Sequence, residues 1–178
     1  MCTEIEAKLK VGSLPEIERK LSELGAEFLA EQLQADYYFE DADTTLTKAD
    51  RCLRLRRQTV DKSETFFMTY KGPKEKSNLK KRQEIEFEIS DADSARKLLS
   101  ALGYEQALIV EKKRRLWQLD DCEVALDQLP LLGDFVEIEG PDEEKIAAVQ
   151  KSLGLTDLPH ITESYASLVA KKQIVNRK

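Results

Sequence analysis

The sequence predicts an α+β fold, an antiparallel sheet of about eight strands with its helices outside. Two observations carry that prediction. Charged and apolar residues alternate in Glu4-Ile5-Glu6-Ala7-Lys8-Leu9-Lys10-Val11, in Arg82-Gln83-Glu84-Ile85-Glu86-Phe87-Glu88-Ile89 and in Val136-Glu137-Ile138-Glu139. A period of two belongs to a β-strand, in which alternate side chains share one face. Each of these segments is followed by a helical pattern with a narrow apolar stripe and a closing glycine, as in a helix that lies against a sheet. This number of strands can close into a small barrel.

The first strand is Glu4 to Val11, after which Ser13 caps a helix with Leu14, Ile17, Leu21 and Leu24 aligned, stopped at Gly25. Asp36-Tyr37-Tyr38-Phe39 reads as a strand ended by the acidic turn Asp41 to Asp43. Cys52 to Arg56 and Thr65 to Lys71 are strands, Gly72-Pro73 a strand break, and Lys74 to Lys80 a mobile polar loop. Beyond the Glu84 strand, Ser90 or Asp91 caps a helix with Ala95, Leu98, Leu99 and Leu102 aligned, stopped at Gly103. Val110 to Leu119 and Glu123 to Asp127 are strands divided by Asp120-Asp121, and Gly133-Asp134 precedes the strand at Val136. Gly140-Pro141-Asp142 opens a helix carrying Ile146, Val149 and Leu153, stopped at Gly154. A last helix, from about Thr162 to Lys172, presents Tyr165, Leu168 and Val169. No low-complexity linker interrupts this order, so residues 1–172 read as one domain and 173–178 as a C-terminal tail.

A chain of 178 residues, 41% hydrophobic, can bury one substantial core. Its formal charge of −6 argues against nucleic acid or an anionic membrane as partner, since both favour basic surfaces. Neither a membrane-spanning run nor a signal peptide is found, so a cytoplasmic location is expected. The cysteines Cys2, Cys52 and Cys122 are far apart, without a Cys-x-x-Cys pair, which speaks against structural zinc and a disulfide framework. With His160 the sole histidine, a His-based metal site or catalytic triad has little material.

An alternating charged strand commonly marks a sheet face open to water, and for any one of these strands that is the favoured reading. The apolar residues Ile5, Leu9, Ile85, Phe87 and Ile138 nevertheless need a cover, and the amphipathic helices can supply it. If they do, the charged faces line whatever the sheet encloses. The inward acids would be Glu4, Glu6, Glu84, Glu86, Asp127, Glu137 and Glu139. The inward bases would be Lys8, Arg54, Arg56, Lys71, Arg82, Lys112 and Arg114. Crowded charge of this kind costs stability unless a ligand or metal compensates. Carboxylate oxygens without His or Cys suit Mg²⁺ or Mn²⁺, while facing rows of Arg and Lys suit phosphate oxygens. Together they describe a site for a metal-bound polyphosphate, and no P-loop sequence offers an alternative.

These residues resemble the CYTH superfamily, the triphosphate tunnel metalloenzymes. The family's opening Glu-x-Glu-x-Lys is matched by Glu4, Glu6 and Lys8, its Arg-x-Arg strand by Arg54 and Arg56, and its next basic strand by Lys71. Arg82 with Glu84 and Glu86, Lys112 with Arg114, Leu126-Asp127, and the closing pair Glu137 and Glu139 match in the same order. The resemblance implies an eight-stranded antiparallel closed barrel with a charged lumen, which binds a triphosphate and one or two divalent cations, Mg²⁺ or Mn²⁺. It assigns Glu4, Glu6 and Lys8 to catalysis. Lys8, Arg54, Arg56, Lys71, Arg82, Lys112 and Arg114 would bind substrate, and Glu4, Glu6, Glu84, Glu86, Asp127, Glu137 and Glu139 would serve the metal. Some members carry a further base on the final helix; here that helix opens Thr162-Glu163-Ser164-Tyr165 without one, and Lys171 and Lys172 lie further on.

The wording of the chain is similar to the class IV adenylyl cyclase-like group, so cyclisation of ATP to cyclic AMP and pyrophosphate is one expectation. Hydrolysis of an inorganic or organic triphosphate, such as tripolyphosphate, thiamine triphosphate or a nucleoside triphosphate, is a second. A non-catalytic polyphosphate- or nucleotide-binding module is a third. The partner is then a triphosphate-bearing small molecule, ATP or tripolyphosphate, and a homodimer is compatible with the sequence. His160 reads as a capping or surface residue, Trp117 as core, Tyr37 and Tyr38 as mainly packing, and Cys52 and Cys122 as small buried hydrophobes.

Overall fold

The computed structural model describes residues 2–76 and 79–176 of the chain. Eight strands form the sheet: β1 (Cys2–Lys10), β2 (Glu27–Glu40), β3 (Cys52–Val60), β4 (Ser63–Lys74), β5 (Lys80–Ile89), β6 (Glu105–Leu119), β7 (Cys122–Leu129) and β8 (Gly133–Glu139). They close into a barrel in the order β1-β5-β4-β3-β2-β6-β7-β8, with β8 returning to β1 and every pair antiparallel. Closure leaves no sheet edge to protect. The helices are α1 (Leu14–Glu23), α2 (Thr45–Lys48), α3 (Ala92–Ala101), α4 (Glu143–Ser152) and α5 (Tyr165–Asn176).

The hydrophobic core lies outside the sheet, between strands and helices. Ala7, Leu9, Val124, Leu126, Val136 and Ile138 turn outward from β1, β7 and β8. They pack beneath Leu14, Ile17 and Leu21 of α1, Ile146 and Val149 of α4, and Leu153 at the C-cap of α4. Asp91 and Asp142 cap α3 and α4, accepting from the backbone N–H of Asp93 at 3.0 Å and of Lys145 at 2.8 Å. Ser13 occupies the N-cap of α1 without a side-chain bond, and Pro15 in the first turn fixes that start instead. Gly140, where β8 turns into α4, has no room for a Cβ: one built there would lie 2.7 Å from Cys122 Sγ and 3.0 Å from Ile146 Cγ1.

Several expectations are corrected. Gly72-Pro73 does not end β4; the strand runs on to Lys74 and absorbs the dipeptide as a shift of register against β5 between Lys71 and Lys74. β2 begins at Glu27, well before Asp36, because a second register shift between Phe28 and Ala30 breaks the alternation that would have revealed it. The short helix α2 follows the acidic turn, held by Glu40, whose carboxylate accepts from the N–H groups of Leu46 and Thr47. The cover on the outer face is incomplete. Ile85 and Phe87 are 42% and 58% exposed, and on α3 Leu99 is buried while Leu98 and Leu102 point to solvent. The helix α5 starts at Tyr165 and continues to Asn176, so residues 173–176 belong to it; 177 and 178 lie outside the described residues. Of the polar loop expected at Lys74 to Lys80, Lys74 and Lys80 end strands, the Glu75 N–H donates to the Lys81 carbonyl at 2.8 Å, and residues 77 and 78 lie outside the described residues. Among the described residues, no helix is long and apolar enough to cross a membrane.

Candidate functional site

Because the apolar positions of each strand face the outer core, the positions between them face the lumen. Glu4, Glu6 and Lys8 enter it from β1, and Lys80, Arg82, Glu84 and Glu86 from β5. Lys71 comes from β4, Arg54 and Arg56 from β3, Asp36 and Tyr38 from β2. Lys112 and Arg114 come from β6, Glu123 from β7, and Glu137 and Glu139 from β8. The cavity they line has a volume of about 490 Å³. The register builds it in opposed pairs: Glu4 lies opposite Arg82, Lys8 opposite Glu137, and Lys71 opposite Glu84.

Two arginine clusters form a cationic wall. Arg56 grips Asp36 through Nε at 2.6 Å and Nη2 at 2.8 Å, and Arg54 reaches the same carboxylate at 3.3 Å. Arg54 also donates to Thr69 Oγ1 at 3.1 Å and Glu86 Oε2 at 3.1 Å. Burial alone would raise the Asp36 carboxyl, but Arg56 and Arg54 hold it well below the usual range. In the second cluster, Arg114 donates to Asp127 through Nε at 2.7 Å and Nη2 at 2.6 Å, and to Glu137. Lys112 lies 3.1 Å from Asp127, and the Tyr165 hydroxyl donates to that carboxylate at 3.0 Å. Burial and the neighbouring Arg114 push Lys112 down to about 8, against the pull of Asp127 and Glu137.

The lining contributed by β1 and β8 is rich in carboxylates, which are held by lysines of β1, β4 and β5. Lys71 bridges Glu4 at 2.8 Å and Glu84 at 2.7 Å, and Lys80 holds Glu6 at 2.7 Å. Lys8, almost fully buried, lies 3.5 Å from Glu6 and 3.2 Å from Glu137, and donates to the Glu163 carbonyl at 3.0 Å. Its ammonium stands 4.3 Å from the centre of the Tyr165 ring. Glu139 lies opposite Glu6 on β1 and Glu123 on β7. Burial, then Glu4, Glu123 and Glu6, push its carboxyl up to about 7. Carboxylates crowded until one keeps its proton are what a divalent cation would relieve, and their oxygens are hard donors. The donor set therefore fits such an ion. Among the described residues no three His, Cys, Asp or Glu side chains yet converge on one point, since Glu4 and Glu6 are turned onto lysines.

The structure brings together every residue proposed from sequence for the site, with one difference of placement. Asp127 has no exposed surface and sits behind Lys112 and Arg114, where it orients both. Glu86 likewise holds Arg54. Five participants were missed. Glu123 and Lys80 share parity with the recognised inward residues Asp127 and Arg82, which is the signal that finds them, whereas Asp36 shares parity with Tyr38, which reads as packing. Ser164 and Tyr165, which begin the last helical segment and close one side of the lumen, have no such signal. Tyr38 and Cys52, expected to pack, line the cavity, whereas Trp117 and Cys122 are core and His160 is exposed beside Gln150. Lys171 and Lys172 are exposed, and Lys171 pairs with Glu163 outside the lumen.

Comparison with known proteins agrees with this geometry. The CYTH domain matches residues 3–165. A Methanocaldococcus jannaschii protein provisionally named as an adenylate cyclase is 30% identical over 174 residues, 93% of this chain and 97% of that protein. A Pyrococcus horikoshii protein of solved structure superposes with a TM-score of 0.83 at 31% identity, covering 95% of this chain and 99% of that one. A Hippeastrum protein described as having dominant triphosphatase activity shares the fold, with a TM-score of 0.73 at 16% identity over 94% and 95% of the two chains. With its closed eight-stranded barrel and two-signed lumen, the chain belongs to the CYTH family.

Proposed function

We propose that this protein is a divalent-metal-dependent enzyme acting on a triphosphate held in the barrel, of the adenylyl cyclase-like kind, converting ATP to cyclic AMP and pyrophosphate. The observation that carries the reading is that one lumen holds two arginine clusters together with a group of carboxylates. Arg54, Arg56, Arg114 and Lys112 would meet phosphate oxygens, with Asp36 and Asp127 fixing the guanidinium forks. Lys8, Lys71 and Arg82 would bind from the opposite side. Glu4, Glu6, Glu137 and Glu139 would hold the cation, with Glu84, Glu123 and Asp127 around them. Mg²⁺ or Mn²⁺ there supplies charge neutralisation and polarisation of the phosphorus under attack. Lysines released from Glu4 and Glu6 become available to phosphate, so metal and triphosphate would bind cooperatively. In cyclisation the ribose 3′-hydroxyl attacks the α-phosphorus, its proton is released to solvent and the bond to the leaving pyrophosphate breaks; the surrounding cations stabilise charge as it develops.

A second reading, triphosphate hydrolysis, is favoured by the activity described for the Hippeastrum protein of the same fold. Product analysis separates the two. With ATP and Mg²⁺ or Mn²⁺, the proposal expects cyclic AMP and pyrophosphate in equal amounts. Orthophosphate without cyclic AMP, from ATP or from tripolyphosphate, would establish the hydrolase instead. Silence with both substrates and both metals would leave a binding module.

A further inference from the structure

Arg54 is held differently from its neighbour Arg56. Arg56 takes Asp36 through two short bonds, at 2.6 and 2.8 Å, whereas Arg54 meets that carboxylate only through Nη1, at 3.3 Å. What fixes Arg54 more closely lies in a row across three strands, with Arg54 of β3 opposite Thr69 of β4 and Thr69 opposite Glu86 of β5. The Thr69 hydroxyl accepts from Arg54 Nε at 3.3 Å and from Nη2 at 3.1 Å, and donates to Glu86 Oε2 at 2.7 Å. Glu86 also accepts directly from Nη2 at 3.1 Å.

Chemistry dictates the direction of these bonds. A guanidinium has donors only and a carboxylate acceptors only, so the single Thr69 proton goes to Glu86 and its lone pairs to Arg54. Rigidity separates the two partners. The Glu86 side chain is 37% exposed, while Thr69 has no exposed surface and, being β-branched, is stiff at χ1. Thr69 is therefore the fixed point against which the Arg54 fork is set. These bonds engage Nε, both protons of Nη2 and one of Nη1. Among the described residues that leaves one Nη1 proton for a ligand in the cavity that Arg54 lines.

We propose that Thr69 is a positioning residue for triphosphate binding: its hydroxyl, oriented by Glu86, fixes the Arg54 guanidinium so that the remaining Nη1 proton meets a phosphate oxygen. The inference rests on the tunnel reading given above and adds to it a residue that touches neither phosphate nor metal. It also gives Glu86 a role, orienting Thr69 and Arg54, that is distinct from holding the cation. A charge-assisted bond keeps its strength only when well aligned, so a guanidinium free to swing loses affinity without any change of charge. Because Thr69 is neutral, removing its hydroxyl leaves the charge of the lumen intact and isolates placement.

The test is calorimetric titration of tripolyphosphate, at saturating Mn²⁺, into wild type, Thr69→Val and Thr69→Ser. Thr69→Val keeps the shape of the side chain and should weaken binding roughly tenfold, the scale of one bond to a charged group. Thr69→Ser keeps the hydroxyl and should stay within about twofold of wild type. In an Arg54→Lys background the effect of Thr69→Val should fall to about twofold or less, because the fork that the hydroxyl sets is gone. Thr69→Ala replaces Thr69→Val in both backgrounds should Thr69→Val not fold. Affinity unmoved by Thr69→Val, Thr69→Ser as weak as Thr69→Val, or an equal loss in the Arg54→Lys background would each overturn the role of Thr69 while leaving the tunnel reading intact. A wild type that does not bind tripolyphosphate would remove the tunnel reading and this inference with it.

Discussion

The Lys8 ammonium of β1 lies 4.3 Å from the centre of the Tyr165 ring of α5. The same Tyr165 hydroxyl donates to Asp127, and Phe135 meets its ring edge-on at a centroid distance of 5.2 Å. One side chain thus links the final helix to β1, β7 and β8. Tyr165→Phe removes a hydrogen bond to a buried carboxylate and should cost about 1–2 kcal/mol. Tyr165→Ala should cost about 3–5 kcal/mol, because it also leaves a cavity. Denaturant titration reads both; equal stability of the two variants would contradict the linking role.

Asp36 should behave as the anchor of Arg54 and Arg56. Asp36→Asn leaves Arg56 without its carboxylate and the buried Arg54 with Glu86 as its remaining close partner, and should destabilise the protein by about 3 kcal/mol at pH 7. The sign with pH follows from the depressed carboxyl. Its contribution is complete above the ordinary carboxylate range and declines as pH falls below about 4 toward the folded-state value. The gap between wild type and variant should therefore narrow below pH 4. A gap constant down to pH 2 would contradict the ion pair as its source.

Glu139 should show the opposite sign. Its carboxyl is raised to about 7, so the folded protein binds a proton there that the unfolded chain releases near pH 4.5. In the metal-free protein this group costs stability as pH rises from about 4.5 through 7. Glu139→Gln should therefore stabilise the metal-free protein by about 1 kcal/mol at pH 8, allowing for solvent near the group, with much less gain at pH 5. Thermal melts in a chelator at both pH values decide the point, and a gain as large at pH 5 would count against it.

Glu4→Gln combined with Glu6→Gln separates an enzyme from a passive binder. Lys71 and Lys80 would lose their carboxylate partners, freeing two cations in the lumen. The double variant should bind tripolyphosphate more tightly without metal, by about 1–2 kcal/mol or roughly tenfold, yet lose metal-dependent turnover. Turnover that survives would remove these residues from the metal site.

The barrel and most of its lumen were legible because a period-two pattern states both the element and the face. Once Ile5, Leu9 and Ile138 need helices above them, Glu4, Glu6, Lys8, Glu137 and Glu139 have only the interior left. Legibility failed where the period did. Register shifts near Leu29 and at Gly72-Pro73 hide the start of β2 and the end of β4, and Lys80, at the end of a polar stretch, reads as loop. Tyr165 could not be read either: on a helix it looks like any core aromatic, and its neighbours Lys8 and Asp127 are 157 and 38 residues away in sequence. Pairing was the other hidden quantity. Sequence places Asp127 on the inward side, but only the fold shows that Arg114 and Lys112 already occupy it.

The most direct test of the two-signed tunnel is calorimetric titration of tripolyphosphate, with and without Mn²⁺, into wild type and Glu6→Gln/Glu139→Gln. The account predicts that Mn²⁺ strengthens wild-type binding at least tenfold and has little effect on the double variant. Wild-type binding that is indifferent to the metal, or no binding at all, would contradict it.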